Sequence, residues 1–417
     1  MEIFVTNPEI LRLVDDIREK GLNRKHYSDV VDQKGNQYVD LVQEGGGVLG
    51  IALSGYTYIL EKAGIRFFSL AGTSAGAINT LLIASMSPIG EPVTEKILKV
   101  MGDMDLFDFV DGNPRIKKLI QRYIEDRPCL FFYILLNSVG IWRALTNYLG
   151  INPGDAFESW IGKVLGESGI TTWSDLREFR SVLPPLFDRS DGNSVITRKA
   201  DIQIIASDIT TKSKIVFPEM AELYWSDPES VSPSKFVRAS MSIPFFFFPF
   251  QVRNIPDSGK YEDPGLPKEE TRWRRHAAYY GKIPDVVRFV DGGILSNFPI
   301  NAFHMSRGIP KKPTFGVKLS TWRGNYSKTD RLGDMTGAMI GTMRQLHDYE
   351  FLRKNPDYNR LICHLDADTS FNWLDFNMSK EKQVDLFILG AREAFRFLET
   401  FNWLEYKKLR AERANTR

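Results

Sequence analysis

The chain is 417 residues long with a formal net charge of +2, too near balance to imply nucleic acid or an acidic substrate. Hydrophobic residues make up 43% and charged residues 25%, which suits a soluble globular protein with a sizeable core and not a disordered chain. The two cysteines, Cys129 and Cys363, stand far apart with no Cys or His cluster beside either, which argues against a disulfide framework or a zinc site.

Met1 to Leu11 lacks a basic stretch followed by an apolar core, so no cleaved secretory signal is expected. The longest apolar run, Cys129 to Leu136, falls short of the roughly 20 residues that a spanning helix needs. The expected location is therefore the cytoplasm, with export lacking a cleaved signal left open. Thr6-Asn7-Pro8-Glu9 predicts a helix start, and the stripe Ile10, Leu11, Val14, Ile17 continues it to Gly21. After a polar hairpin around Lys34-Gly35-Asn36, a strand is expected over Gln37 to Gln43. It runs into Gly45-Gly46-Gly47-Val48-Leu49-Gly50 and a helix closed by Gly64. A second strand, Ile65 to Ala71, ends at Gly72-Thr73-Ser74-Ala75-Gly76, and a small-residue helix follows. This β-loop-α-β-loop-α order opens a doubly wound parallel sheet. Ser87 to Arg198 reads as a helical insertion or cap. Further strands are expected at Asp201 to Ala206, Lys214 to Phe217, Val286 to Val290 and Phe315 to Leu319, and a long amphipathic helix at Ser379 to Trp403. Lys407 to Arg417 reads as a frayed, solvated basic tail.

Three stretches carry chemistry. In Gly72-Thr73-Ser74-Ala75-Gly76 the strand-to-helix turn exposes a serine hydroxyl at a helix N-terminus, whose dipole favours a developing oxyanion. Gly45 to Gly50 also fits a dinucleotide fingerprint, but that site needs an acid at the end of the next strand, and Ile65 to Ala71 offers none. The other use of consecutive glycines is to bare backbone N–H groups beside the serine as an oxyanion hole. Asp291-Gly292-Gly293 ends the third stretch, with a carboxylate at a strand end where it can accept the serine proton. A turn aspartate is the plain alternative. The histidines, His26, His276, His304, His347 and His364, stand in no recognisable catalytic context, although spacing leaves a Ser-His-Asp triad open.

In this order the three stretches resemble the patatin-like phospholipase family. Ala239-Ser240-Met241-Ser242-Ile243-Pro244 and Asn297-Phe298-Pro299 are similar to two further family blocks, and the likeness covers about Val39 to Leu319. It implies an α/β fold, a three-layer αβα sandwich with a mostly parallel central sheet and a helical insertion or cap. The expected layout is an N-terminal helix and hairpin over 1–36 and a catalytic domain over 37–319, with its insertion at about 87–198. A C-terminal helical extension over 320–417 packs on that domain. The resemblance further implies Ser74 as nucleophile and Asp291 as base. Gly45, Gly46 and Gly47 would form the oxyanion hole, supported by Gly50, Gly72, Gly76, Gly292 and Gly293. Cleavage of a membrane phospholipid or another lipid ester through an acyl-enzyme follows, with peripheral membrane contact and with no metal or organic cofactor. A triacylglycerol lipase, a lipid transacylase and a lipid-binding pseudoenzyme are the alternatives. Any activator and the oligomeric state stay open. Leu49 departs from the pattern, because many members carry Arg or Lys there.

Two weaker features remain. Phe245 to Phe248 reads as core or as part of an acyl-chain pocket. Arg272-Trp273-Arg274-Arg275 reads as a solvated segment or as a membrane contact beside the site.

Overall fold

The computed structural model describes the chain apart from residues 116, 119–120, 122–139, 141, 194–198, 261–271, 322–325, 327–328, 331 and 417. The run Cys129 to Leu136 lies outside the described residues. Twelve strands are assigned among those described: β1 Val30–Asp32, β2 Gln37–Gln43, β3 Ile65–Thr73, β4 Gly150–Asn152, β5 Leu186–Asp188 and β6 Ile202–Asp208, followed by β7 Ser213–Phe217, β8 Phe245–Phe247, β9 Phe250–Arg253, β10 Val286–Asp291, β11 Thr314–Lys318 and β12 Ile362–His364. Ten of them form one sheet, in the order β12-β11-β2-β3-β6-β10-β9, with β1, β5 and β7 paired off this path. The run from β12 to β6 is parallel. β2, β3 and β11 are buried along nearly their whole length, as strands covered by helices on both faces must be.

The opening helix forms as its signals predict. Pro8 takes the first turn of Pro8–Glu19, and the Asn7 side chain accepts from the Glu9 N–H at 2.9 Å. Helix Ile51–Lys62 is buried on nearly every face, between the sheet and helix Lys380–Thr400. The two cross at backbone contact, because a methyl group on Gly55 would meet the Phe387 carbonyl and one on Gly390 would meet that of Ala52. Larger residues there would force the helices apart and open the core.

The structure departs from the sequence reading in three places. The insertion is not purely helical: β4 pairs with β8 in a separate two-stranded sheet, and β5 pairs with β1. The C-terminal extension adds β12 to the main sheet, as well as the unforeseen helix Leu332–Lys354. The basic tail is not frayed over most of its length, because Trp403–Thr416 is a docked helix. Trp403 is fully buried, Lys407 pairs with Asp29 at 2.7 Å, and Arg410 pairs with Asp357 at 3.3 Å. Among the described residues no helix is long and apolar enough to cross a membrane.

Candidate active site

Ser74 sits between β3 and helix Ala75–Met86 with φ 52° and ψ −117°, a conformation that costs a non-glycine residue strain energy. The turn closes so tightly that a methyl group on Gly76 would strike the Gln43 carbonyl, and one on Gly72 would strike the backbone of Gly76. The G-x-S-x-G spacing therefore reflects backbone crowding on both sides of the serine. The Ser74 N–H donates to Ser240 Oγ at 2.9 Å, which places the Ala239–Pro244 block directly under the elbow.

Asp291 reaches the serine by an arrangement that the sequence does not suggest. β10 runs antiparallel to β6, not parallel with the other central strands. β7 occupies one edge of β6 over Ile204 to Asp208, so β3 and β10 share the opposite edge. Thr73 lies beside Ile205 and Asp291 beside Ala206, so the two strands meet end to end. The Asp291 carboxylate lines the outer cleft together with Ser74, and its Oδ1 accepts from the Gly293 N–H at 2.7 Å. Burial pushes the Asp291 carboxyl above its ordinary range, while Arg344, the nearby Ser74 and the Gly293 N–H draw it down.

The glycine loop follows β2. The Gly45 N–H donates to the Asn297 carbonyl at 3.0 Å, so this buried donor is already committed and drops out of the expected oxyanion set. Gly46 and Gly47 are half-buried, line the cleft with Ser74, and have no acceptor on their N–H groups among the described residues. Gly47 has φ 56°, and a methyl group there would strike the Trp373 carbonyl, so the C-terminal extension closes over this loop. Below it, the buried Glu44 carboxylate accepts from Lys318 Nζ at 2.6 Å and from the N–H groups of Leu319 and Ser320 at 2.7 and 2.8 Å. Burial pushes Glu44 up, but Lys318 and Ser320 outweigh it and hold the carboxyl below its usual range.

Two cavities meet at Ser74. An inner chamber of about 90 Å³ is apolar, with Leu82, Met101, Phe157, Met241 and Phe247 among its walls. An outer cleft of about 420 Å³ is lined by Gly46, Gly47, Asp291, Phe245, Arg344 and Trp373 among others. The phenylalanine run thus divides. Phe247 is fully buried and faces the chamber, Phe246 stacks on Phe376 at 5.0 Å, and Phe245 stands at the outer cleft. Arg344, on helix Leu332–Lys354, is the one cation among the described residues lining either cavity. It was missed because neither its spacing nor its neighbours mark it in the sequence. Leu49 is buried in the core.

No histidine lines either cavity among the described residues. His304 bonds Tyr358 at 2.9 Å, and His276 bonds Glu222 at 2.8 Å. In the Arg272–Arg275 segment Trp273 is 3% exposed and packs on Tyr224 and Tyr279, so the tryptophan belongs to the core. Arg272 pairs with Asp257 at 2.7 Å, Arg275 pairs with Glu222 at 2.9 Å, and Arg274 is buried.

The family model for patatin-like phospholipase matches residues 41–304. The chain is 31% identical over 369 residues to the uncharacterized protein YqhO of Bacillus subtilis, covering 88% of this chain and 100% of that protein. Among solved structures, VipD of Legionella pneumophila aligns at 15% identity and a TM-score of 0.41, covering 91% of this chain and 71% of VipD. The ExoU-SpcU complex of Pseudomonas aeruginosa aligns at 14% and 0.34, covering 89% of this chain and 52% of that one. Taken with the ordered motifs and the α/β sheet that carries them, the match over residues 41–304 establishes that this chain belongs to the patatin-like phospholipase family and is a lipid ester hydrolase.

Proposed function

We propose that the chain cleaves acyl esters of membrane phospholipids through Ser74 and Asp291. The observation that carries this reading is the meeting of Ser74 and Asp291 on the wall of one cleft, where β3 and β10 end beside each other on β6 and an apolar chamber also opens at Ser74. The acyl chain enters the chamber and the head group stays in the cleft. Ser74 Oγ bonds to the ester carbonyl carbon as its proton passes to Asp291, and the N–H groups of Gly46 and Gly47 take up the oxyanion. Collapse breaks the ester C–O bond, and Asp291 returns the proton to the leaving alkoxide. Water then attacks the acyl-enzyme and loses a proton to Asp291; collapse breaks the bond between Ser74 Oγ and the acyl carbon, Asp291 returns the proton to Oγ, and the fatty acid leaves.

Arg344 favours a phospholipid over a neutral glyceride. It brings a fixed positive charge into a cleft otherwise lined by apolar groups, backbone and the Asp291 carboxylate. Mass spectrometry of products from mixed lipid vesicles tests the reading. Release of fatty acid and lysophospholipid by the native chain, and none by Ser74→Ala, is the expected result. Release from triacylglycerol alone would replace the proposed substrate.

A further inference from the structure

One short segment makes hydrogen bonds to both members of the pair. It leaves the end of helix Pro233–Ser240, which packs against β6, β10 and helix Ala75–Met86. Ser240 Oγ accepts from the Ser74 N–H at 2.9 Å. Two residues later the Ser242 carbonyl accepts from the Asp291 N–H at 2.8 Å. β3 and β10 each pair with β6, and this segment adds a second tie at the ends of both, where the reacting side chains stand.

The elbow depends on the Ser240 hydroxyl. Ser74 has φ 52°, in a backbone region that a non-glycine residue keeps only where its surroundings fix it. Ser74 is buried, and Ser240 Oγ is the one acceptor of its N–H among the described residues. Removing that acceptor leaves a buried donor unsatisfied. The strained peptide then gains by rotating toward another partner, which carries the Ser74 hydroxyl away from Asp291. Ser240 itself is fully buried and lines neither the chamber nor the cleft, so its own hydroxyl has no access to an ester carbonyl.

The segment is in turn fixed from behind. Arg238 is 3% exposed and donates to Ser242 Oγ at 2.5 Å, to the Phe248 carbonyl at 3.1 Å and to the Pro153 carbonyl. This buried guanidinium ties the turn after helix Pro233–Ser240 to the loop that follows β4 and to the residue that follows β8. Held at these points, the turn has little freedom to follow a moving elbow, so it acts as a fixed support for the hydroxyl and the carbonyl that it presents.

We propose that Ser240 is a positioning residue for the reaction: its hydroxyl fixes the Ser74 backbone beside Asp291, which the following turn holds through the Ser242 carbonyl. This rests on the reading of Ser74 and Asp291 as the reacting pair. Ser240→Ala in the full chain tests it, with a short soluble ester and a fluorophosphonate as probes. The substitution should lower kcat by about 10–100-fold, leave KM nearly unchanged and slow the labelling of Ser74 by a similar factor. Ser240→Thr keeps the acceptor and should label at close to the native rate. Ser85→Ala removes an equally buried hydroxyl from helix Ala75–Met86, one that donates to the Leu81 carbonyl at 2.8 Å, and should leave kcat unchanged. A native kcat and labelling rate in Ser240→Ala overturns the proposal. A threonine variant as slow as the alanine one overturns it too, as does a matching loss of kcat in Ser85→Ala, since either assigns the effect to packing. Labelling of the native chain at a residue other than Ser74 would instead overturn the dyad itself, so the two failures are told apart.

Discussion

Arg344 donates from Nη2 to Asn297 Oδ1 at 2.9 Å across a sequence separation of 47 residues. The same Asn297 side chain donates from Nδ2 to the Gly45 carbonyl at 3.1 Å and to Glu44 at 3.2 Å. One amide therefore joins the glycine loop, the loop after Asp291 and the helix that carries Arg344.

Arg344 should set the acid limb of activity. Asp291 accepts a proton only when ionised, so turnover falls as pH drops through its pKa, which burial places above the ordinary carboxylate range. Removing the guanidinium removes a charge that pulls this pKa down. Arg344→Gln should move the acid limb of kcat/KM on a soluble ester to higher pH, and Arg344→Lys should largely restore it. An unmoved limb in Arg344→Gln would separate Arg344 from Asp291.

Asp348 should make the fold less stable as pH rises. Burial pushes its carboxyl up to about 7, with Lys318 and Lys214 drawing it down and Glu44 pushing it further up. A carboxyl raised in the folded state contributes stability that is fully present below its unfolded pKa. That contribution is lost as pH rises through about 7. Asp348→Asn keeps an acceptor for the Phe298 N–H without the charge. At pH 8 it should be more stable than the native chain by roughly 1–3 kcal/mol, with a smaller gain or none at pH 4. Urea unfolding at the two pH values measures this, and a gain independent of pH would assign the effect to packing.

Much of the site was legible in the sequence because its parts are local. The glycine loop, the serine elbow and the Asp291 turn each lie within a few residues of a strand end, where backbone crowding dictates glycine. Two features were not legible. The antiparallel run of β10 depends on which edge of β6 is free, and that follows from where β7 pairs. Arg344, Trp373 and Asp348 enter from a C-terminal region whose residues are ordinary until the helix is docked. Trp273 misled for a related reason: flanking arginines suggest a surface, but their partners Asp257 and Glu222 lie elsewhere in the chain.

Gly76→Ala should cripple the fold and not merely the chemistry. The added methyl meets backbone atoms of Gln43 and Glu44, which have no rotamer with which to escape. A loss of at least about 3 kcal/mol is expected, seen as a lowered midpoint of thermal unfolding. A stable, inactive variant would show that the elbow tolerates a side chain there.

Trp273→Ala should cost about 3–5 kcal/mol of stability through the cavity it leaves beside Tyr224 and Tyr279. Replacing Arg272 and Arg275 with glutamine should leave vesicle binding within about twofold, because both ion pairs are partly exposed and worth little. A large loss of vesicle binding in that pair would return the membrane contact to this segment.

The central claim is that Ser74 is the nucleophile and Asp291 its base. Labelling of the full chain with a fluorophosphonate, followed by peptide mass spectrometry, addresses it most directly. The account predicts one adduct, on Ser74. It also predicts a labelling rate reduced by roughly 10²–10⁴-fold in Asp291→Asn and nearly unchanged when any single histidine is replaced by alanine. An adduct on Ser240 or Ser242 that persists in Ser74→Ala would contradict it, as would a histidine variant that matched Asp291→Asn with its fold intact.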